Sequence, residues 1–177
     1  MEDPGVLGRG AADEDAVIDA IVEQLEKIEY NTPFFGITSP PVAELAAKVV
    51  GLMPDDWNMG HVLFTCGGSE TNDTNFKIAR MYWATKGKDE KKKIISRNLA
   101  YHGVTYGALI PFNFVSGAPG GSLVDTLAGL GWGGSVMPPD DFFPKLKQFC
   151  QQRGILLVAD EVLTGMGRTG KWLCMEH

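Results

Sequence analysis

A nearly uninterrupted apolar run at residues 155–159, Ile-Leu-Leu-Val-Ala, constrains the fold more than any other segment of the chain. Runs of this kind are typical of a strand in a parallel sheet that is covered on both faces. We therefore expect a buried strand over 155–159. Asp160 and Glu161 follow it directly, so a carboxylate stands at the point where a buried strand ends.

The preceding 100 residues alternate between strand-like and helix-like segments. Strands are predicted at 61–66 (HVLFTC) and 93–97 (KIISR). A helix lies between them, beginning after two glycines and ending near Gly87. Another helix, rich in phenylalanine, ends at Gly154, immediately before the apolar run. This alternation predicts an α/β fold with a mainly parallel sheet flanked by helices.

Two helices are predicted ahead of this region. Apolar residues recur at helical spacing through 13–29, and acidic residues crowd the first turn, where the helix dipole favours them. Pro41 opens the second helix. We accordingly divide the chain into an N-terminal helical segment, 1–60, and an α/β part, 61–177. Residues 111–139 are rich in glycine without a clear period, and the sequence assigns them no element.

Charge and composition exclude several classes of protein. Sixteen basic and 22 acidic residues give a net charge of −6, and no basic stripe is present for binding nucleic acid. No apolar stretch reaches the roughly 18 residues of a membrane span. The first residues lack the basic and apolar regions of an export signal. The three cysteines lie far apart in sequence, which argues against disulfides or zinc and favours the cytoplasm.

Three polar clusters follow the three predicted strands. They are Gly67-Gly68-Ser69, Tyr101-His102-Gly103 and Asp160-Glu161-Val162. Because ligands gather at the carboxyl ends of the strands in such sheets, we expect the clusters to converge on one cleft.

The glycine cluster has two interpretations. Free backbone N–H groups at the start of a helix form an anion site, most naturally for phosphate, with the Ser69 hydroxyl as a further contact. Alternatively, Ser69 is a plain helix cap and the glycines form a tight turn. A nucleotide P-loop is disfavoured because the Gly-Lys-Ser/Thr sequence is absent.

The other two clusters are also ambiguous when taken singly. A carboxylate at Asp160 requires a positive partner, which could be a ligand's protonated nitrogen, a metal ion or Arg168. Tyr101 offers an aromatic face for stacking, although an isolated Tyr-His pair is also typical of a core or a surface. Together the clusters suggest a ligand with a phosphate, a flat ring and a cationic ring nitrogen. Pyridoxal phosphate has these three parts.

The chain resembles the class III pyridoxal-phosphate-dependent aminotransferases, in particular the omega-amino-acid transaminases. The resemblance covers more than half of the chain, with its motifs in the family's order. The matching runs are YNTPFFGITSPPVAELAAKV, FTCGGSETNDTNFKIARMYW, KKKIISRNLAYHGVT, VMPPDDFFPKLKQFCQQRGILLVADEV and GMGRTGKW.

This resemblance implies part of a fold-type-I large domain and assigns roles to single residues. Gly68 and Ser69 would hold the cofactor phosphate, Tyr101 would stack on the ring, and Val162 would pack against its opposite face. Asp160 would form a salt bridge with the pyridine nitrogen. The remaining matches are supporting residues and, less specifically, neighbours of the substrate pocket: His102, Glu161 and Arg168, and then Phe34 and Phe35.

The resemblance further implies amino-group transfer from an amine or amino acid to a keto acid or aldehyde, in a homodimer. Two departures qualify it. We expect the family's Schiff-base lysine and small C-terminal domain to lie beyond His177, so no catalytic residue is assigned here; Lys171 belongs to a different motif. The segment after the Tyr-His-Gly motif is short, with Leu127-Ala128 where the family has Glu-Pro.

Two functions therefore remain open at this stage. The chain is either a transaminase fragment or a non-catalytic remnant that binds cofactor or pairs with another subunit. Aminomutase and decarboxylase reactions of the same family are not separated from transamination by these residues.

Overall fold

The structure is a computed structural model that describes residues 14–32, 34, 36–96, 100–109, 122–126 and 139–177. The chain forms two compact units, residues 1–61 and 62–177. No helix in the described ranges is both long enough and apolar enough to cross a bilayer.

Among its described residues, the first unit contains two α-helices and one short 3-10 helix. Helix α1 spans Glu14–Lys27, α2 spans Pro40–Gly51, and the 3-10 helix spans Asp55–Trp57. Both predicted α-helices are thus confirmed, with α2 starting one residue before Pro41. A proline is favourable in the first turn because the N–H groups of that turn have no carbonyl partner within the helix, so proline loses no hydrogen bond there. The apolar stripe of α1 is about half exposed, and comprises Val17, Ile18, Ile21, Val22, Leu25 and Ile28.

The second unit is built on a three-stranded parallel sheet in the order β1-β2-β3. The strands are β1 (Ile94–Ile95), β2 (Ser122–Thr126) and β3 (Leu157–Asp160). Leu123 pairs with Ile95 on one side and with Leu157 on the other, which places the central strand in register with both neighbours. The parallel sheet expected from the alternating elements is therefore confirmed. Strand β2 was not expected, because it is short and flanked by glycine-rich sequence.

In the described residues, three α-helices accompany the sheet, α3 (Gly68–Thr85), α4 (Tyr106–Leu109) and α5 (Phe142–Arg153), and a short 3-10 helix spans Cys174–Glu176. Helix α3 supplies half of the buried apolar side chains among the described residues, and these recur at helical spacing: Phe76, Ala79 and Trp83. Helix α5 ends where the sequence predicts, at Gly154, whose φ of 60° is a conformation that glycine adopts without strain. Helix α3 therefore forms the main apolar support of the second unit.

A lysine from the charged loop after α3 ties this core together. The Nζ of Lys91 donates a hydrogen bond of 2.8 Å to the carbonyl of Gly154. It also lies 4.2 Å from the ring centroid of Trp83, a distance suited to a cation–π contact. Lys91 thus joins the end of α3 to the end of α5.

Two expectations about strands were wrong. Residues 61–66 do not join the sheet in the described part of the chain, and Leu63 and Phe64 are exposed. An apolar run becomes a strand only if a neighbouring backbone pairs with it, and 61–66 has no such neighbour among the described residues. Strand β3 is only half buried, with Ala159 exposed and Asp160 alone fully buried. The apolar composition of this segment therefore predicted more burial than the structure shows.

Candidate functional site

The three polar clusters meet at the end of β3. At Gly68, a Cβ atom would lie 3.1 Å from Cγ2 of Val162. At Gly103, a Cβ atom would lie 2.4 Å from Oγ of Ser69, and the φ of +136° also favours glycine there. Both glycines thus allow close approach between the start of α3 and another cluster, and the structure brings the three sequence-predicted segments together.

Ser69 fastens the loop after β1 to the first turn of α3. Its Oγ accepts a hydrogen bond of 3.1 Å from the backbone N–H of Val104. Its carbonyl accepts one of 3.1 Å from the hydroxyl of Thr105. Ser69 is not the helix cap, since that position belongs to Gly67, and the plain-cap interpretation is wrong. The Ser69 hydroxyl proton remains a donor for a ligand, because Oγ serves Val104 as an acceptor.

Asp160 is buried and accepts three hydrogen bonds. Its Oδ2 is 2.9 Å from Nδ1 of His102 and 2.9 Å from Nδ2 of Asn72. Its Oδ1 accepts a bond of 3.2 Å from the backbone N–H of Val162. The predicted alternative of an Asp160–Arg168 ion pair does not occur, since Arg168 is exposed in the described segment 139–177. The side-chain partners of Asp160 are instead the imidazole of His102 and the amide of Asn72.

These bonds keep the carboxylate of Asp160 ionised despite its burial. Burial by itself raises the pKa of a carboxyl group. The hydrogen bonds from His102, Asn72 and Val162, together with the charge of His102, outweigh that effect and lower the pKa of Asp160 below its ordinary value of 3.8. Since the carboxylate is the acceptor, His102 carries its proton on Nδ1. Asp160 is therefore an anion over the whole physiological pH range.

Asn72 is the residue of this site that sequence reasoning missed. It is 3% exposed, and its amide nitrogen donates both to Asp160 and, at 2.8 Å, to the carbonyl of His102. A signal was present, since an asparagine three residues after Ser69 lies on the same side of a helix. Its partners, however, are 30 and 88 residues away in sequence, so no local pattern identifies them.

Glu161 closes the loop that follows β3. Its carboxylate accepts bonds from the backbone N–H groups of Cys174 and Met175, each at 3.0 Å, and from the hydroxyl of Thr164 at 2.7 Å. The segment after Val162 is thereby folded back on the strand end. The supporting role expected for Glu161 thus has a structural basis in this loop, outside the contacts of Asp160.

The other sequence-predicted residues are placed as follows. Tyr101 is 42% exposed and Val162 is 69% exposed, so both present surface that a ligand could cover. Phe34 is exposed in the first unit, and Phe35 lies outside the described residues. Leu127 and Ala128 also lie outside them. Lys171 is exposed, and its Nζ donates a bond of 2.7 Å to the carbonyl of Glu176.

The donor set of the site fits pyridoxal phosphate. An anionic Asp160 is suited to pair with a protonated pyridine nitrogen. The 18-residue helix α3 begins at Gly68, so its N-terminal N–H groups and the Ser69 hydroxyl are suited to a phosphate. In the described part of the chain no group of three or more His, Cys, Asp or Glu side chains is arranged to hold a metal ion.

Comparison with known proteins identifies the sequence profile that the chain matches. The profile described as Aminotransferase class-III matches residues 7–111 and 127–177. These ranges include every residue of the site. The match is interrupted only in the glycine-rich segment after α4.

Individual relatives give the same result. The putrescine–pyruvate aminotransferase of Pseudomonas aeruginosa is 31% identical over 208 aligned positions, covering 91% of this chain and 45% of that protein. The omega-amino acid–pyruvate aminotransferase of Pseudomonas putida is 32% identical, covering 86% and 44%. The PLP-bound form of an amine transaminase from an uncultivated Pseudomonas species superposes with a TM-score of 0.79 at 29% identity, covering 94% and 47%.

The chain is shorter than its relatives in two respects. The chain spans less than half the length of these relatives. The first alignment is also longer than the 177 residues of the chain, so the relative holds internal residues with no counterpart here. This agrees with the short connection expected after the Tyr-His-Gly motif.

Proposed function

The chain belongs to the class-III aminotransferases, and on that premise we propose that it forms part of the cofactor site of a pyridoxal-phosphate-dependent transaminase. The proposed reaction moves an amino group from an amine or amino acid to a keto acid. The partial fold-type-I architecture is that of transaminases of known structure. The cofactor of this family is pyridoxal phosphate.

One observation carries the proposal: a buried, ionised carboxylate at a strand end lies against the start of a long helix and an aromatic loop. The bond between Asn72 and Asp160 and the contact between Gly68 and Val162 establish this arrangement. A purely structural Asp–His pair accounts for the carboxylate. It does not account for Gly68 and Gly103, which let Val162 and the loop after β1 approach the start of α3 closely.

The residues of the chain divide the work as follows. Gly68 and Ser69 bind the phosphate through N–H and hydroxyl donors. Asp160 holds a proton on the ring nitrogen, and Tyr101 and Val162 orient the ring. When bound, the cofactor supplies an electron sink for amino-group transfer. Asp160 supports that chemistry because its own proton affinity is low.

Binding of pyridoxal phosphate to the dialysed full chain tests the proposal, followed by cofactor absorbance and tryptophan fluorescence. We expect saturable, reversible binding that weakens about tenfold in Ser69→Ala and more in Asp160→Asn. Thr74→Ala, on the same helix, is the matched control and retains the affinity of the natural chain. A folded protein that shows no saturable binding would contradict the proposal.

The partners and the compartment are also proposals. We propose a keto acid such as pyruvate as amino acceptor, because the similar enzymes named above use it. We propose a homodimer, supported by the exposed apolar side chains around the site, among them Val104, Tyr106 and Val162. A cytoplasmic location is supported by three cysteines that lie far apart in the sequence. Light scattering that shows only monomers of the complete protein would remove the homodimer.

A non-catalytic remnant of the family is the second candidate, favoured by one observation. The family profile is interrupted between residues 111 and 127, and the aligned relative holds internal residues that this chain lacks. Mass spectrometry of the natural protein, combined with an amino-transfer assay of it, separates the two candidates. Transfer by the natural protein supports the transaminase, and cofactor binding without transfer supports the remnant.

A further inference from the structure

Asn72 connects three parts of the candidate site through one side chain. It lies in helix α3 and is 3% exposed. One N–H of its amide donates to the carbonyl of His102 at 2.8 Å, and the other donates to Oδ2 of Asp160 at 2.9 Å. Both partners are acceptors, so only an NH₂ group satisfies them together. A carboxylate at position 72 would face two acceptors and have nothing to donate.

The same helix turn also holds the loop after β1 at two further points. Ser69 accepts the N–H of Val104 through Oγ and the hydroxyl of Thr105 through its carbonyl. The backbone from His102 to Thr105 is thus fixed to α3 on both sides of Gly103. Of these contacts with the loop, only that of Asn72 continues to the Asp160 carboxylate. A shift of the loop that carries Tyr101 therefore moves a donor of Asp160 as well.

We propose that Asn72 is a positioning residue that holds the Asp160 carboxylate and the Tyr101–Thr105 loop in one arrangement. The carboxylate that pairs with a ring nitrogen and the Tyr101 face that stacks on the ring are then presented to the ligand together. The identity of the cofactor that this arrangement holds rests on the proposed function. The bonding between Asn72, Asp160 and the loop does not.

The electrostatic consequence can be measured without cofactor. Among the described residues, His102 is the titratable side chain that acts on Asp160. The other two donors to Asp160, the amide of Asn72 and the backbone N–H of Val162, are neutral. Removing the Asn72 donor brings the pKa of Asp160 closer to its unfolded value. The stability of the folded chain then depends less on pH below about 4, because that dependence arises from the difference between the two values.

The experiment compares the full chain with Asn72→Leu, Asn72→Ala and the matched control Asn75→Leu. Asn75 is on the same helix, and its side chain makes no hydrogen bond with the described residues. Urea unfolding between pH 2.5 and 7 gives the free energy of unfolding at each pH, and its decline below about pH 4 is the acid limb of the curve. We expect a flatter acid limb in both Asn72 variants, and in Asn75→Leu the same slope as in the natural chain. Pyridoxal phosphate titration is expected to show about tenfold weaker binding in Asn72→Leu. The pH below which Asn72→Leu loses cofactor binding should be about one unit higher than in the natural chain.

The outcomes separate this inference from the proposed function. A natural acid limb in Asn72→Leu, with stability alone reduced, would show that Asn72 only packs, and would overturn the inference. A flatter acid limb in a chain that never binds the cofactor would uphold the hold on Asp160 and reject the proposed function. If Asn72→Leu fails to fold, the smaller Asn72→Ala, which also removes the donor and adds no titrating group, decides, and a natural acid limb there also overturns the inference.

Discussion

At the scale of single residues, Asp160 is the side chain whose behaviour depends most on its partners. Burial favours the protonated acid, and donors from His102, Asn72 and Val162 favour the anion. The donors prevail, so the folded pKa lies below the unfolded one. The stability that Asp160 contributes is therefore complete above about pH 4 and is lost as the pH falls through the folded pKa.

The first prediction follows from this sign. Asp160→Asn should lower the free energy of unfolding at pH 7 by about 1–3 kcal/mol, because a charge-assisted acceptor is lost. It should also flatten the decline of stability below pH 4. Urea titrations from pH 3 to 7 measure both effects. Asp141→Asn is the control, since Asp141 is exposed and pairs only with Lys145 in the described residues. Parallel acid limbs in the natural chain and Asp160→Asn would contradict the assignment.

The second prediction concerns Gly103, whose φ of +136° and contact with Ser69 both favour glycine. Gly103→Ala should destabilise the chain by about 2–4 kcal/mol, because backbone strain adds to a steric clash. Gly167→Ala is the control: its φ of +86° is also positive, but nothing lies within 4 Å of the added methyl group. Denaturation curves should show a smaller loss for Gly167→Ala, and equal losses would mean that contact with Ser69 plays no part.

At the scale of secondary-structure elements, the second unit depends on the way α3 packs. Trp83 is 6% exposed, under the ammonium group of Lys91 and near the end of α5. Its ring N–H has no partner in the described structure. Trp83 therefore contributes through its apolar area and not through a hydrogen bond.

The third prediction separates these two contributions. Trp83→Ala should reduce the free energy of unfolding by about 3–5 kcal/mol, the usual result of removing a large buried ring. Trp83→Phe should cost less than about 1.5 kcal/mol, since it keeps most of the area and removes an unpaired donor. Chemical denaturation measures both, and Trp172→Ala, at a side chain 42% exposed, is the control. Comparable losses in the Phe and Ala variants would mean that the ring N–H has a partner.

At the scale of the whole molecule, the last prediction concerns covalent attachment of the cofactor. The Nζ of Lys171 is exposed and donates to the carbonyl of Glu176, within the loop that Glu161 closes. We therefore expect no stoichiometric pyridoxyl adduct on Lys171 after cofactor addition and borohydride reduction. Peptide mapping by mass spectrometry measures this, with Lys77 on the exposed side of α3 as the internal reference for nonspecific labelling. Selective, stoichiometric labelling of Lys171 would contradict the expectation.

The sequence by itself determined the local features of this protein. Helical spacing and a first-turn proline located α1 and α2, and glycine located the end of α5. The motifs around Gly68, Tyr101 and Asp160 identified the family, because each is a contiguous run whose chemistry is readable in place. Helix periodicity and glycine conformation depend on neighbours within a few residues, and they are therefore written in the sequence.

Only the tertiary structure decided which distant groups meet. The run at 61–66 has strand composition but no neighbour to pair with in the described residues, and β2 lies in glycine-rich sequence yet pairs on both sides. The partner of Asp160 is His102 and not Arg168, and Asn72 bonds to residues 30 and 88 positions away. Strand pairing and buried hydrogen bonds depend on which backbones are adjacent in space, and composition does not encode that adjacency.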